Sequence, residues 1–267
     1  MHEEVPPSPR PVTLASAGGP VTLGDGKVKT IVPLAARTAG ELLPAARAAN
    51  ASGCDIVEWR IDLMDEGNLL RPVMAAARAL AGAANVPILA TFRTPAEGGS
   101  LPIDAAAYEE LLTALAASGL VQAIDVEYSR GPDLAGRVAA AARSGGVATI
   151  ASHHDFEATG SAAEIAARLD DMAGCGADVV KIACMPRSRE DVLALLAASS
   201  RASRELAVPL IAISMGALGV VSRVAAGQFG SCATFASLGR ASAPGQVPLA
   251  ELRPVLDALS TWGDPAT

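Results

Sequence analysis

V-A-T-I-A-S-H-H-D-F (147–156), a helical segment, and D-V-V-K-I-A-C-M-P (178–186) decide the reading of this chain. Each end is a short apolar run bounded by turn signals and carrying one group able to do chemistry. Runs of this kind, separated by a helix, read as neighbouring buried strands of a βαβ unit. The first run delivers His153 and His154. The second holds a single lysine, Lys181, among Val179, Val180, Ile182 and Ala183. A charged lysine inside such a run is costly, because burial disfavours the ammonium form. Standing alone, a lysine of this kind more often buries its stem and keeps its amine in water. The adjacent histidine strand turns the reading toward a site.

Outward from that unit the same rhythm repeats. K-T-I-V-P-L-A (29–35), D-I-V-E-W-R-I-D (55–62), P-I-L-A-T-F-R (87–93) and A-I-D-V-E-Y (123–128) read as strands before it. P-L-I-A-I-S-M (209–215) and S-C-A-T-F-A-S (231–237) follow it. Alanine-rich segments lie between, one running through Ala49 and others at Leu69–Ala81, Ala105–Ala117 and Asp133–Arg143. A last helix reads over 247–260, with Pro254 in its first turn or kinking it. Eight strands alternating with helices predict an α/β fold, a single (β/α)8 TIM barrel over 29–262 forming the catalytic domain. A doubly wound open sheet is the runner-up, but no G-x-G-x-x-G follows the first strand. Residues 12–28 read as an N-terminal β-hairpin around Gly18–Gly19, with the Asp25–Gly26 turn leading into the barrel. Residues 1–11, with four prolines and no periodicity, read as a disordered tail.

Of the 267 residues, 51% are hydrophobic but only 3% aromatic, so the core must be built from Ala, Val, Leu and Ile. The formal charge of −7, without a Lys/Arg cluster, argues against nucleic acid and anionic membrane surfaces. An anionic small molecule stays open if a few arginines converge locally. Cys54, Cys175, Cys184 and Cys232 form no C-x-x-C pair, and with three histidines there is no metal set. Free thiols suit a reducing cytoplasm. The N-terminus carries acid and proline where a signal peptide needs a basic patch and an apolar run. No apolar stretch approaches membrane-spanning length without a charge or breaker. The expectation is a soluble, cytoplasmic protein.

A barrel gathers polar residues from its strand ends at one face. Here those are Glu58, Arg60 and Asp62; Arg93 and Glu97; Asp125 and Glu127; His153 and His154; Lys181; and Ser214, with Arg223, Ser242 and Gln246 on the loops. Charges at five strand ends in sequence exceed what solvation explains. A lysine beside a histidine without a metal points to imine chemistry: a neutral amine attacks a carbonyl, and the iminium acidifies the neighbouring carbon. Histidine is suited to removing that proton. Keeping Lys181 neutral at pH 7 requires its pKa to fall by ~3 units.

R-T-P-A-E-G-G (93–99), S-H-H-D-F (152–156), V-V-K-I-A (179–183), S-M-G-A-L-G-V-V-S-R (214–223), S-A-P-G-Q (242–246) and E-W-R-I-D (58–62) resemble, in their order, the type I 3-dehydroquinate dehydratase family. The resemblance runs from about Lys29 to Leu259. It implies a (β/α)8 barrel without metal or organic cofactor that converts 3-dehydroquinate to 3-dehydroshikimate and water, in the shikimate pathway of aromatic amino acid biosynthesis or in quinate breakdown. By the same resemblance Lys181 forms the imine with the substrate ketone, by syn elimination, and His154 is the general base. Glu97 matches a carboxylate beside that histidine, suited to orienting it; its plainer reading is a loop carboxylate paired with an arginine. His153 is left a supporting role. Arg223 matches the arginine that grips the substrate carboxylate, with Arg93 a second cation in the pocket. Glu58 and Arg60 resemble the pair binding substrate hydroxyls, while Asp62 and Asp125 hold the arginines. Ser242 and Gln246, on a closing loop, bond substrate oxygens. Ile213 stands where some members have methionine. The resemblance also suggests a homodimer.

Two other readings are weighed beside it. Another imine-forming barrel enzyme, such as an aldolase acting on a sugar phosphate, needs a phosphate cradle after the seventh and eighth strands. Arg223 and S-A-P-G-Q suit a carboxylate and hydroxyls better. A catalytically silent metabolite-binding module on the same scaffold could keep the arginines and lose the lysine or histidine, and both are present.

Overall fold

The computed structural model describes residues 9–239 and 241–262. The disordered tail expected over 1–11 lies outside them as far as residue 8. The described chain opens with an antiparallel hairpin, β1 (Val12–Leu14) and β2 (Val21–Leu23). Strands and helices then alternate. The first half comprises β3 (Lys29–Leu34), α1 (Ala39–Ser52), β4 (Ile56–Arg60), α2 (Leu70–Ala81), β5 (Ile88–Thr91), α3 (Ala105–Ala117), β6 (Ala123–Glu127) and α4 (Pro132–Ser144). The second comprises β7 (Ala148–Asp155), α5 (Ala162–Gly174), β8 (Val179–Cys184), α6 (Arg189–Glu205), β9 (Leu210–Ser214), α7 (Val220–Val224), β10 (Ala233–Ser237), β11 (Val247–Pro248) and α8 (Leu249–Trp262).

All eight strands read from the sequence are present. They lie parallel in the order β10, β3, β4, β5, β6, β7, β8, β9, with the two-residue β11 beside β10. The sheet curls until its ends meet. Cys232 N donates to Leu210 O at 2.8 Å, and Ala212 N donates to Ser231 Oγ at 3.1 Å. That closure makes a TIM barrel and removes the open doubly wound sheet. The seam is thin: β7 and β8 are in register over six residue pairs, whereas β9 meets only the residue two before β10 in one isolated bridge, Leu210 with Ser231.

Local chemistry sets the helix starts. Thr38, Asp104, Ser161 and Ser188 each accept a hydrogen bond from a backbone N–H of the first turn. Ser161 and Glu164 form a reciprocal capping box ahead of α5, the crossover that sets β8 beside β7. Of the two places read for Pro254, the first turn is excluded: it stands inside α8, at the sixth position counting from Leu249.

Because strand side chains alternate between faces, every second residue enters the barrel. Val57, Trp59, Ala90, Phe92, Ile124, Val126, Val180 and Ile182 face outward into the helix layer. At the bottom of the interior Ile31, Ile56, Leu89, Ala123, Ile150, Val179, Ile211 and Ala233 form one apolar cluster. Leu14 and Leu23 of the hairpin belong to the same cluster and are 2% and 0% exposed. The hairpin therefore plugs the end of the barrel where the strands begin. Burying one such leucine contributes roughly 1.5–3 kcal/mol. Two residues further along each strand the interior divides. Glu58, Thr91, Asp125, Ser152 and Lys181 are buried and polar, while β9 and β10 continue with Ile213 and Phe235. Among the described residues no helix is long and apolar enough to cross a membrane.

Candidate active site

Lys181 is the third residue of β8, paired in register with Ser152 of β7 and Ile211 of β9. Its position in the strand points it inward, and only 3% of it is exposed. Nζ lies 3.6 Å from Asp125 Oδ2, 3.8 Å from Glu58 Oε1 and 4.3 Å above the centre of the Phe235 ring. Burial is the largest influence on the amine and depresses its pKa; Asp125 and Glu58 push back, and Arg93 and Arg60 depress it further. The net direction is below the ordinary lysine value.

His154 stands one layer further along β7, two residues beyond Ser152 and in register with Ala183 of β8. Its Nδ1 is 2.9 Å from Glu97 Oε2, and its backbone N–H donates to that oxygen at 3.1 Å. Glu97 sits on a short turn, Pro95–Glu97, after β5. It also accepts a short hydrogen bond from Ser129 Oγ and one of 3.3 Å from Arg93 Nη1. Burial works against ionising Glu97, but the two histidines and the Arg93 charge outweigh it and hold the carboxyl well below the usual range. An ionised Glu97 takes the Nδ1 proton in hydrogen bonding, which leaves Nε2 as the acceptor nitrogen. Burial, then the charges of Arg93 and Lys181, push the His154 pKa down to about 3. The imidazole is neutral at physiological pH and free to accept a proton. His153 comes only within 3.7 Å of Glu97 Oε1, too far for a hydrogen bond.

That depressed histidine has a consequence for stability. Its folded pKa lies below the unfolded value, so between about 6.5 and about 3 the unfolded chain binds the extra proton. Stability from this group is therefore full above about pH 6.5 and declines as pH falls toward 3. Glu97, also depressed, acts in the same direction at the acid end. Urea unfolding should show a midpoint that drops between pH 7 and pH 4, by a total on the order of 4 kcal/mol if His154 acted alone. A His154→Gln protein should show a flatter profile between pH 6.5 and 5.

Arg93 holds the acidic side of the site together. Nη1 donates to Glu127 Oε1 and Ser152 Oγ, each at 3.0 Å, as well as to Glu97; Nη2 donates to Asp125 Oδ1 at 2.8 Å. Burial alone would lower its pKa, and the carboxylates of Asp125, Glu127 and Glu97 together reverse that. Arg60 pairs bidentately with Asp62, both contacts at 2.8 Å. The sequence reading of Asp62 and Asp125 as partners of these two arginines agrees with this geometry.

Arg223, in α7, is the opposite case. It is 1% exposed, yet among the described residues its guanidinium meets only backbone oxygens: Phe235 O at 3.4 Å and Pro244 O at 3.0 Å. Its Nε has no hydrogen-bond partner. Burial, with no carboxylate beside it, pulls its pKa down to about 10. A buried guanidinium without a counter-ion is a receptor for an anion. The segment 241–246 lies across it. Pro244 O accepts from Gly216 N at 3.2 Å, and Gly245, at φ +75°, packs so closely that a Cβ there would come within 2.3 Å of Gly216 O. Ser242 and Gln246 bond one another, with Gln246 Nε2 donating to Ser242 Oγ at 3.1 Å.

One cavity at the C-terminal end of the barrel is lined by Glu58, Arg60, Arg93, Glu97, His154, Lys181, Arg223, Ser242 and Gln246. These are the nine residues to which the sequence reading gave a catalytic or substrate-binding role; Asp62, Asp125, Glu127, His153 and Ser214 do not line the cavity. The apolar part of the lining includes Phe156, Ile213, Met215 and Phe235. Phe235 was not singled out; its inward place in the alternating A-T-F-A-S strand, opposite the lysine, was the available signal. Glu127, Ser152 and Thr94 were likewise missed as the groups that fix Arg93 and its loop. Thr94 donates to Glu127 through both backbone N and Oγ1, each at 2.7 Å.

Known proteins resemble this chain over nearly its whole length. A family model described as type I 3-dehydroquinase matches residues 30–261. A 3-dehydroquinate dehydratase of Neisseria gonorrhoeae is 42% identical over 246 residues, covering 91% of this chain and 96% of that protein. A structure of type I 3-dehydroquinate dehydratase from Clostridium difficile, carrying covalently modified comenic acid, superposes with a TM-score of 0.90 at 34% identity, over 96% of this chain and 99% of that one. The 3-dehydroquinate dehydratase of Geobacillus kaustophilus gives 0.91 at 33% identity, with the same coverage.

Proposed function

The chain belongs to the type I 3-dehydroquinase family, and from that premise we infer how its own residues carry out the family reaction. It is a 3-dehydroquinate dehydratase, a hydro-lyase of the shikimate pathway that converts 3-dehydroquinate to 3-dehydroshikimate and water. The observation that carries the residue assignment is the buried Lys181 amine, opening on the same cavity as a neutral His154 and a counter-ion-free Arg223.

Arg223 grips the substrate carboxylate, replacing its missing counter-ion and orienting the ring. Arg60 and Glu58, with Ser242 and Gln246 from the closing loop, take the hydroxyls. Neutral Nζ attacks the ketone carbon, the carbonyl oxygen leaves as water, and a protonated imine remains. The positive nitrogen withdraws electrons from the adjacent carbon, and His154 Nε2 removes a proton there. The resulting enamine expels the hydroxyl from the next carbon, which leaves as water with the proton that His154 returns. One base serving both steps from one side gives a syn elimination. Glu97 keeps Nε2 aimed at the substrate and stabilises the transient imidazolium. Hydrolysis of the imine frees the product and Lys181.

The direct test is intact-mass analysis after incubation with 3-dehydroquinate and borohydride, followed by peptide mapping. A reduced adduct on the peptide containing Lys181 is expected; its absence from folded enzyme would sink the mechanism. Arg223→Lys keeps a charge but loses the fork. It is expected to raise KM by roughly 10–100-fold with a smaller change in kcat, read from initial rates. A homodimer in the cytoplasm completes this reading, supported by the family resemblance and tested by sedimentation.

A further inference from the structure

Among the described residues, Asp125 is the one carboxylate within 4 Å of the lysine nitrogen that the proposed steps do not use. It is the middle residue of β6, in register with Thr91 of β5 and Ile150 of β7, and it is 0% exposed. Its two oxygens are treated differently. Oδ1 is fixed by Arg93 Nη2 at 2.8 Å and Ser152 Oγ at 2.7 Å. Oδ2 is buried, accepts no hydrogen bond, and points toward Nζ at 3.6 Å. Asp125 does not line the cavity, whereas Glu58, the other carboxylate beside Nζ, does. Glu58 thus stands open to substrate hydroxyls, whereas Arg93 and Ser152 anchor Asp125 behind the cavity wall through Oδ1.

We propose that Asp125 is the positioning residue that keeps one fixed negative charge beside the lysine nitrogen throughout the cycle, first as partner of the ammonium and then of the protonated imine. This inference rests on the imine reading above and deepens it. Asp125 accepts no proton in any step. When the imine forms, the departing water takes one proton from Nζ and one from solvent, and the positive charge that remains on nitrogen stays opposite Oδ2. The Arg93 clamp keeps the carboxyl ionised even though burial works against it. The other groups facing Nζ are Glu58 and Arg60 from β4, Arg93 after β5, His154 from β7 and the Phe235 ring from β10. Of the anions among them, Asp125 acts more strongly than Glu58 to hold the proton on the amine.

Asp125→Asn keeps the shape and an Oδ1 acceptor for Arg93 and Ser152 while removing the charge. The ascending limb of kcat/KM against pH reports Lys181 losing its proton in the free enzyme. Without Asp125 that limb is expected to move to lower pH by about one unit or more, with kcat falling about tenfold or more. The borohydride-trapped fraction at saturating substrate should fall with it. A purely structural role would lower the unfolding temperature without moving the limb. An unmoved or raised limb with kcat within about twofold of the parent overturns the proposal. Should the variant not fold, infrared spectra of the unsubstituted enzyme's adduct with ketone-labelled substrate answer the same question. The C=N stretch should shift in D2O, as a protonated imine does, up to about pH 9. An unprotonated imine at neutral pH overturns the proposal. If the unsubstituted enzyme itself traps nothing on Lys181, the imine reading fails; if it traps normally and Asp125→Asn matches it, only this inference fails.

Discussion

Replacing Lys181 with methionine is expected to stop turnover while leaving the barrel intact. Removing the atom that forms the covalent intermediate costs on the order of 10^4 to 10^6 in kcat. Methionine matches the lysine stem in length and apolar character, and it fits between Ile211 and Ser152 in the strand register. The unfolding temperature should hold within ~5 °C, because Arg93 and Ser152 still satisfy Asp125 through Oδ1 and a buried ammonium is costly in itself. Substrate should still bind, since Arg223 and the closing loop are untouched. Calorimetric titration with 3-dehydroquinate, beside a rate assay, separates the two effects. Turnover within tenfold of the parent would rule out imine catalysis at this position.

His154→Gln is expected to lower kcat by roughly 10^2 to 10^4, the usual worth of a positioned acid–base group. Glutamine can still donate to Glu97, so the oxygen that His154 contacts at 2.9 Å keeps a partner. The lysine remains able to attack the ketone; the proton beside the imine is what stays in place. The covalent adduct should therefore accumulate, and borohydride should trap a larger share of this variant than of the parent at equal substrate. A variant that is slow but traps less than the parent would place His154 before imine formation.

The architecture was legible because its signal is periodic. Most strands repeat apolar residues on the outer face, and on five of them the inner face changes from apolar to polar within two residues, as Ile56–Glu58 and Val179–Lys181 do. The location of the site follows from that change, since all the polar inner positions fall at one end. The pairing of charges was legible only in part: Asp62 and Asp125 read as holding the arginines, and the rest of the network did not show. Arg93 read as a cation for substrate, yet its nitrogens reach Asp125, Glu127, Glu97 and Ser152. Which strand-end carboxylate meets which arginine depends on the stagger of neighbouring strands, and spacing along the chain carries little of that. Ser242 and Gln246 are similar: the loop was recognised, but their mutual hydrogen bond depends on how the loop folds over Gly216. Pro254 read equally as a first-turn or an interior proline, because proline alone does not mark where a helix starts; α8 begins at Leu249 and holds it inside.

The thin seam between β9 and β10 divides the labour of the barrel. Lys181 and His154 stand on β8 and β7, which share the longest run of paired residues, while Arg223 and the segment 241–246 follow the two strands on either side of the seam, which is joined by the single Leu210–Ser231 bridge. Local opening is cheapest where a sheet is least cross-linked. The half that admits and releases the substrate can breathe without loosening the half that makes and breaks bonds. Evolution could therefore retune affinity along the seam, one loop substitution at a time, while the reactive pair stays in a frame that such drift does not reach.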